Sequence, residues 1–61
     1  MNMVVLVKGE ERYTFFFDDK NRQNTLRILG QYASDPELSF TWYDAATVAK
    51  KIRNHLTEYV R

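Results

Sequence analysis

Chemistry needs particular side chains, and this sequence supplies few of them in usable arrangements. His55 is the single histidine, and there is no cysteine in the 61 residues. A thiolate metal site, a disulfide and a zinc site built on one histidine are therefore excluded. Ser34 and Ser39 flank a Pro-containing turn, far along the chain from His55, and nothing in their setting suggests a catalytic triad. Gly9 and Gly30 stand alone, outside any phosphate-binding or dinucleotide fingerprint. The carboxylates come as two adjacent pairs, Glu10-Glu11 and Asp18-Asp19. Acid–base work needs two carboxyls held apart across a cleft in different environments, which a chain this short can scarcely form. The expectation is a protein that is not an enzyme and carries no cofactor.

The feature above background is a charge asymmetry. Residues 1–41 hold five basic and six acidic groups, a balance of −1; residues 42–61 hold four and two, a balance of +2. At 100° per residue, Tyr43, Lys50, Arg53, Asn54, Thr57 and Arg61 fall within about 100° of one another, with no acid among them. Such a stripe suits phosphate contact, with Tyr43 and Asn54 available to a base. The whole chain is only +1, with a sequence pI near 8.1, so electrostatic steering toward nucleic acid is weak. Nucleic-acid binding through Tyr43, Lys50, Arg53, Asn54 and Arg61 is accordingly the second functional expectation. His55 lies on the polar side of the same segment, where a charge near a helix C-terminus is mildly favourable.

These side chains must be positioned by a single small domain, residues 1–61. Leu, Ile, Val and Phe number 16 of 61, about 26%, enough for a core. No apolar run is long enough to span a bilayer, and a cytoplasmic protein is expected. Residues 3–8 and 12–18 are β-branched and aromatic runs around a Gly-containing break, the signature of an antiparallel hairpin. Tyr13, Phe15 and Phe17 share one face of the second strand, leaving Phe16 on the other.

Residues 19–33 read as a helix, opened by Asp18 or Asp19 and ended by Ser34-Asp35-Pro36. Its apolar face carries Thr25, Leu26, Ile28, Leu29, Tyr32 and Ala33. Residues 42–60 read as a second helix with Trp42, Ala45, Ala49, Ile52, Leu56 and Tyr59 on its apolar stripe. Thr41 and Asp44 have the spacing of a capping box. Leu38–Phe40 is read as extended, with room for a short third strand. The expected class is α+β, a ββαα domain with a core of Trp42, Ala49, Ile52, Leu56, Leu26, Leu29, Phe15 and Phe17.

A two-stranded hairpin covered by helices on one face leaves the other bare. That geometry, and a second helix too long for its supports, predicts an interaction module, most simply a homodimer. Its interface is expected at Phe16, Leu56, Tyr59 and Val60.

Overall fold

The computed structural model describes residues 1–54 and the backbone of residues 58–60. Strand β1, Asn2–Lys8, and strand β2, Glu11–Phe17, form an antiparallel hairpin. Gly9 and Glu10 are the two-residue loop between the paired Lys8 and Glu11. Gly9 has φ +60°, a left-handed conformation that an L side chain adopts at a cost, which is why glycine stands at the first loop position.

Helix α1, Arg22–Ala33, and helix α2, Trp42–Arg53, follow, and the chain returns as strand β3, Glu58–Val60. β3 pairs parallel to β1, so the sheet order is β2-β1-β3 with β1 in the centre. The protein is a small α+β domain, an antiparallel hairpin followed by two helices.

From Arg12 onward β2 alternates: Tyr13, Phe15 and Phe17 are buried while Arg12, Thr14 and Phe16 are exposed. Across the hairpin, Val4 and Leu6 stand opposite Phe15 and Tyr13, and together these residues make the sheet's share of the core. The helices supply Leu29, Ala45, Val48, Ala49 and Ile52, with Leu26, Ile28 and Tyr32 partly buried against the cluster. Tyr13, Phe15, Tyr32 and Phe40 meet edge-on or tilted, with ring centroids 5.3–6.2 Å apart. Such contacts strengthen packing beyond the area they bury.

Four expectations need correction. The second helix ends at Arg53 rather than near residue 60; Tyr59 and Val60 belong to β3. Three residues, Glu58, Tyr59 and Val60, are too few to separate a strand period from a helical one, and pairing with Val4–Leu6 is a long-range contact that periodicity does not reveal. The third strand is therefore at Glu58–Val60, and Leu38–Phe40 is irregular.

Trp42 is 63% exposed and outside the core. It is the first residue of α2, at the margin of an arc centred on the fully buried Val48 and Ile52. Phe40, just ahead of the cap, fills the aromatic core position instead. Finally, α1 starts at Arg22, not residue 19. Asp18 holds a turn, its Oδ1 accepting from the backbone N–H groups of Lys20 and Asn21 at 2.9 and 3.0 Å. Leu56, His55, Thr57 and Arg61 lie outside the described residues.

Candidate functional site

Three surfaces carry the side chains with something to offer. The first is a polar cluster where the hairpin turn meets the loop between the helices. Lys8 Nζ donates to Asp44 Oδ2 at 2.6 Å and to the Ser39 carbonyl at 2.7 Å. The same Asp44 oxygen accepts from the Thr41 N–H at 2.9 Å, and the Asp44 N–H donates to Thr41 Oγ1 at 3.1 Å. This is the capping box expected from the sequence, with a lysine added from a distant strand. Burial alone would raise the Asp44 pKa. The bond from Lys8, the Thr41 N–H and hydroxyl contacts and the charge of Lys8 outweigh it and hold the carboxyl below its ordinary value.

Beside this pair, Ser39 Oγ donates to Glu11 Oε1 at 2.7 Å and Tyr13 Oη donates to Glu11 Oε2 at 3.2 Å. The Ser39 N–H donates to Tyr13 Oη at 3.2 Å. The cluster places Ser39 and paired acids near one another, yet its donors and acceptors are engaged with each other and with backbone. What it does is tie residues 39–44 to both ends of the hairpin turn, closing a sequence separation of about 30 residues.

The second surface is the sheet face turned away from the helices. Register places Met3 opposite Phe16, Val5 opposite Thr14 and Val7 opposite Arg12. Phe16 is 56% exposed, and Met3 and Val7 are half-buried. Val5, on the central strand, is buried. Among the described residues no helix covers this face.

The third surface is the outer side of the helical layer. Trp42, Tyr43, Ala46, Lys50, Arg53 and Asn54 are exposed on one arc of α2, and Tyr43 is 80% exposed. The structure thus brings Tyr43, Lys50, Arg53 and Asn54 to one face, as their spacing predicts. Trp42 joins them, which the sequence reading missed by assigning it to the core. Between α1 and α2 runs an open groove of about 290 Å³, floored by Leu26, Leu29, Ala45 and Ala49 and edged by Gly30, Trp42, Ala46 and Arg53. A Cβ on Gly30 would meet no atom within 4 Å, so this glycine does not serve a close helix–helix approach. The groove's signal in the sequence was there: a glycine in a helical pattern facing an alanine-rich stripe.

Among the described residues no group of three His, Cys, Asp or Glu side chains could hold a metal, and no helix is long and apolar enough to cross a membrane. The chain matches no family model, no curated protein and no solved structure.

Proposed function

We propose that the protein is a small, non-enzymatic interaction module that self-associates through the open face of its sheet. The observation that carries this reading is the half-exposed Phe16, which stands opposite Met3 on a face that neither helix covers. Both helices pack on the opposite face, and among the described residues Phe16 keeps about half of its surface in water, with Met3 half-buried across from it. A large exposed apolar side chain on the edge strand of a sheet face that no helix covers is the kind of surface a partner covers. A second copy related by a two-fold axis would set Phe16 and Met3 against their own equivalents.

Self-association rests on the sheet face alone. Twelve residues make α2 about 18 Å long at 1.5 Å per residue, so the overhanging helix end invoked for Leu56, Tyr59 and Val60 falls away. Tyr59 and Val60 enter the proposal through β3, which is an edge strand able to extend the sheet. Light scattering at micromolar concentration tests the reading. The wild-type chain is expected at twice 7.3 kDa and the Phe16→Glu variant at 7.3 kDa. A wild-type mass of 7.3 kDa at every accessible concentration would refute it.

Nucleic-acid contact through Tyr43, Lys50, Arg53 and Asn54 is the alternative. Their shared exposure on α2 supports it, and a gel-shift at low salt tests it.

A further inference from the structure

We propose that the groove between α1 and α2 docks an acidic amphipathic helix from a partner protein. The proposal is independent of self-association, because the groove lies on the helical layer and Phe16 on the far side of the sheet.

Charge distribution is the first argument. The two helices hold Arg22, Arg27, Lys50, Lys51 and Arg53 against one acid, Asp44, a balance of +4, of which Arg22 is paired with Asp19 just ahead of α1 at 4.0 Å. The rest of the chain holds four basic and seven acidic residues, −3, which leaves the formal +1. The one acid of the layer is buried and bonded to Lys8 and Thr41, so it offers the groove no negative charge. Arg53 edges the groove at the C-terminal end of α2, and Lys50 is exposed one turn earlier. A partner with carboxylates therefore gains where a basic one is repelled. A second copy of this chain presenting its own helices brings cation to cation, so the groove is not a site for self-association.

The walls decide the shape of the occupant. Leu26, Leu29, Ala45 and Ala49 form an apolar floor, and Trp42 stands at one end with most of its indole in water. Gly30 and the alanines leave room for a large apolar side chain to enter between the helices. Both walls are helices whose backbone groups are already bonded within the helix, so an extended peptide finds no edge to pair with. A helix brings its own backbone bonds and needs only apolar anchors at i, i+3, i+4 and i+7. From Trp42 to Arg53 the groove wall runs about 17 Å, three turns of helix. Bases of a nucleic acid could stack on Trp42 and Tyr43, but they would leave the apolar floor uncovered.

The test uses the full chain and its single tryptophan. Peptides of about three to four helical turns, with Leu, Ala, Glu, Lys and Gln varied at each position, are displayed and selected on the protein. Selected peptides are expected to place Leu at helical spacing with Glu flanking it. They should shift Trp42 emission to shorter wavelength, and exchanging their Glu for Lys should weaken binding at least tenfold. Ala46→Arg, a change at an exposed position, should abolish binding without lowering the melting temperature. Lys50→Glu with Arg53→Glu should remove the preference for acid. Selection of basic or extended sequences, retention of binding by Ala46→Arg, or an unmoved Trp42 emission would each overturn the proposal. So would an oligothymidine that binds at low salt, is lost in Lys50→Glu/Arg53→Glu, and competes where no peptide does; that outcome assigns the face to nucleic acid.

Discussion

The two helices have the same length, twelve residues, and pack on the same sheet face, yet they are specified in opposite ways. α2 carries every local signal. Thr41 and Asp44 form a reciprocal capping box, Asp44 puts a negative charge in the first turn, and Lys50, Lys51 and Arg53 put positive charge in the last. Each opposes the helix dipole's end charge or satisfies an orphan backbone group. α1 has none of these: its N-cap, Asn21, makes no side-chain capping bond, and its ends carry no acid at the start and no base at the finish. It also contains Gly30.

What starts α1 is tertiary. Buried Thr25 donates its hydroxyl to the Asn21 carbonyl at 3.1 Å and, more weakly, to the Phe16 carbonyl at 3.3 Å, tying the first turn to the end of β2. Asn21 Oδ1 in turn accepts the Asp18 N–H at 2.7 Å. One helix is written in its own residues, and the other is held where the hairpin puts it.

The largest effect should come from core truncation, which tests whether both helices depend on the same cluster. Ile52→Ala in α2 and Leu29→Ala in α1 remove side chains that are almost fully buried. Each is expected to cost about 2–5 kcal/mol, a large share of the stability of so small a domain. Urea denaturation followed by circular dichroism measures it. Equal losses with a single transition mean one cooperative core; a transition that splits for Leu29→Ala alone would show that α1 melts as a separate unit.

Next in size is the link that makes α2 more than a local helix. Lys8→Met removes the bond to Asp44 and is expected to cost about 1.5–3 kcal/mol at neutral pH, the range for hydrogen bonds to a charged group. The pH dependence has a definite sign. The folded-state pKa of Asp44 is lowered, so its stabilisation is fully present above the ordinary value of 3.8 and is lost as pH falls below that, through the folded pKa. The gap between wild type and Lys8→Met should therefore be constant near neutrality and shrink only below pH 3.8. A gap that already closes near neutral pH would mean that Asp44 does not hold the lowered pKa. α1 has no carboxylate of its own, and its ion pair, Arg22 with the exposed Asp19 at 4.0 Å, is of the solvent-screened kind that adds little to stability.

The caps themselves come next. Thr41→Ala should cost about 1 kcal/mol, whereas Gln23→Ala in the exposed first turn of α1 should change stability by under about 0.5 kcal/mol. Amide exchange should show the same contrast, with the first turn of α2 better protected than that of α1. Equal protection would mean that the capping box adds nothing to what packing already provides.

This difference also explains what was legible in the sequence. Thr41-x-x-Asp44 could be read because its mechanism spans four residues, and Gly9 could be read because a two-residue loop needs its φ. Phe15, Phe17, Leu29, Ala49 and Ile52 followed from period alone. The start of α1 was misplaced because Asp18 resembles a cap in sequence but spends its oxygen on a turn. β3 was missed because three residues pair with a strand more than 50 positions away. The Lys8–Asp44 pair, 36 positions apart, has no local signature at all. Trp42 was misread because a stripe's outermost member is decided by the neighbouring helix, and here Phe40 takes the space. That error hid the groove, since the tryptophan assigned to the core is what marks its end.

The smallest expected effect gives the cleanest reading of the contrast. Gly30→Ala replaces the residue that most weakens α1 locally. In a helix interior alanine is favoured over glycine by about 0.5–1 kcal/mol, partly by restricting the unfolded chain. The added methyl meets nothing within 4 Å, so no clash offsets the gain. Gly30→Ala is therefore expected to stabilise the domain by about 0.5–1 kcal/mol and to slow amide exchange in the last turns of α1, leaving α2 unchanged. Because Gly30 also edges the groove, the same methyl narrows the space into which an apolar anchor would enter. The variant should melt higher and bind the selected acidic peptides more weakly than wild type. A variant that melts lower would mean that the folded helix needs glycine here for a reason other than space. Unchanged peptide affinity, with the higher melting point, would place the anchor nearer Trp42 and Ala46 than Gly30.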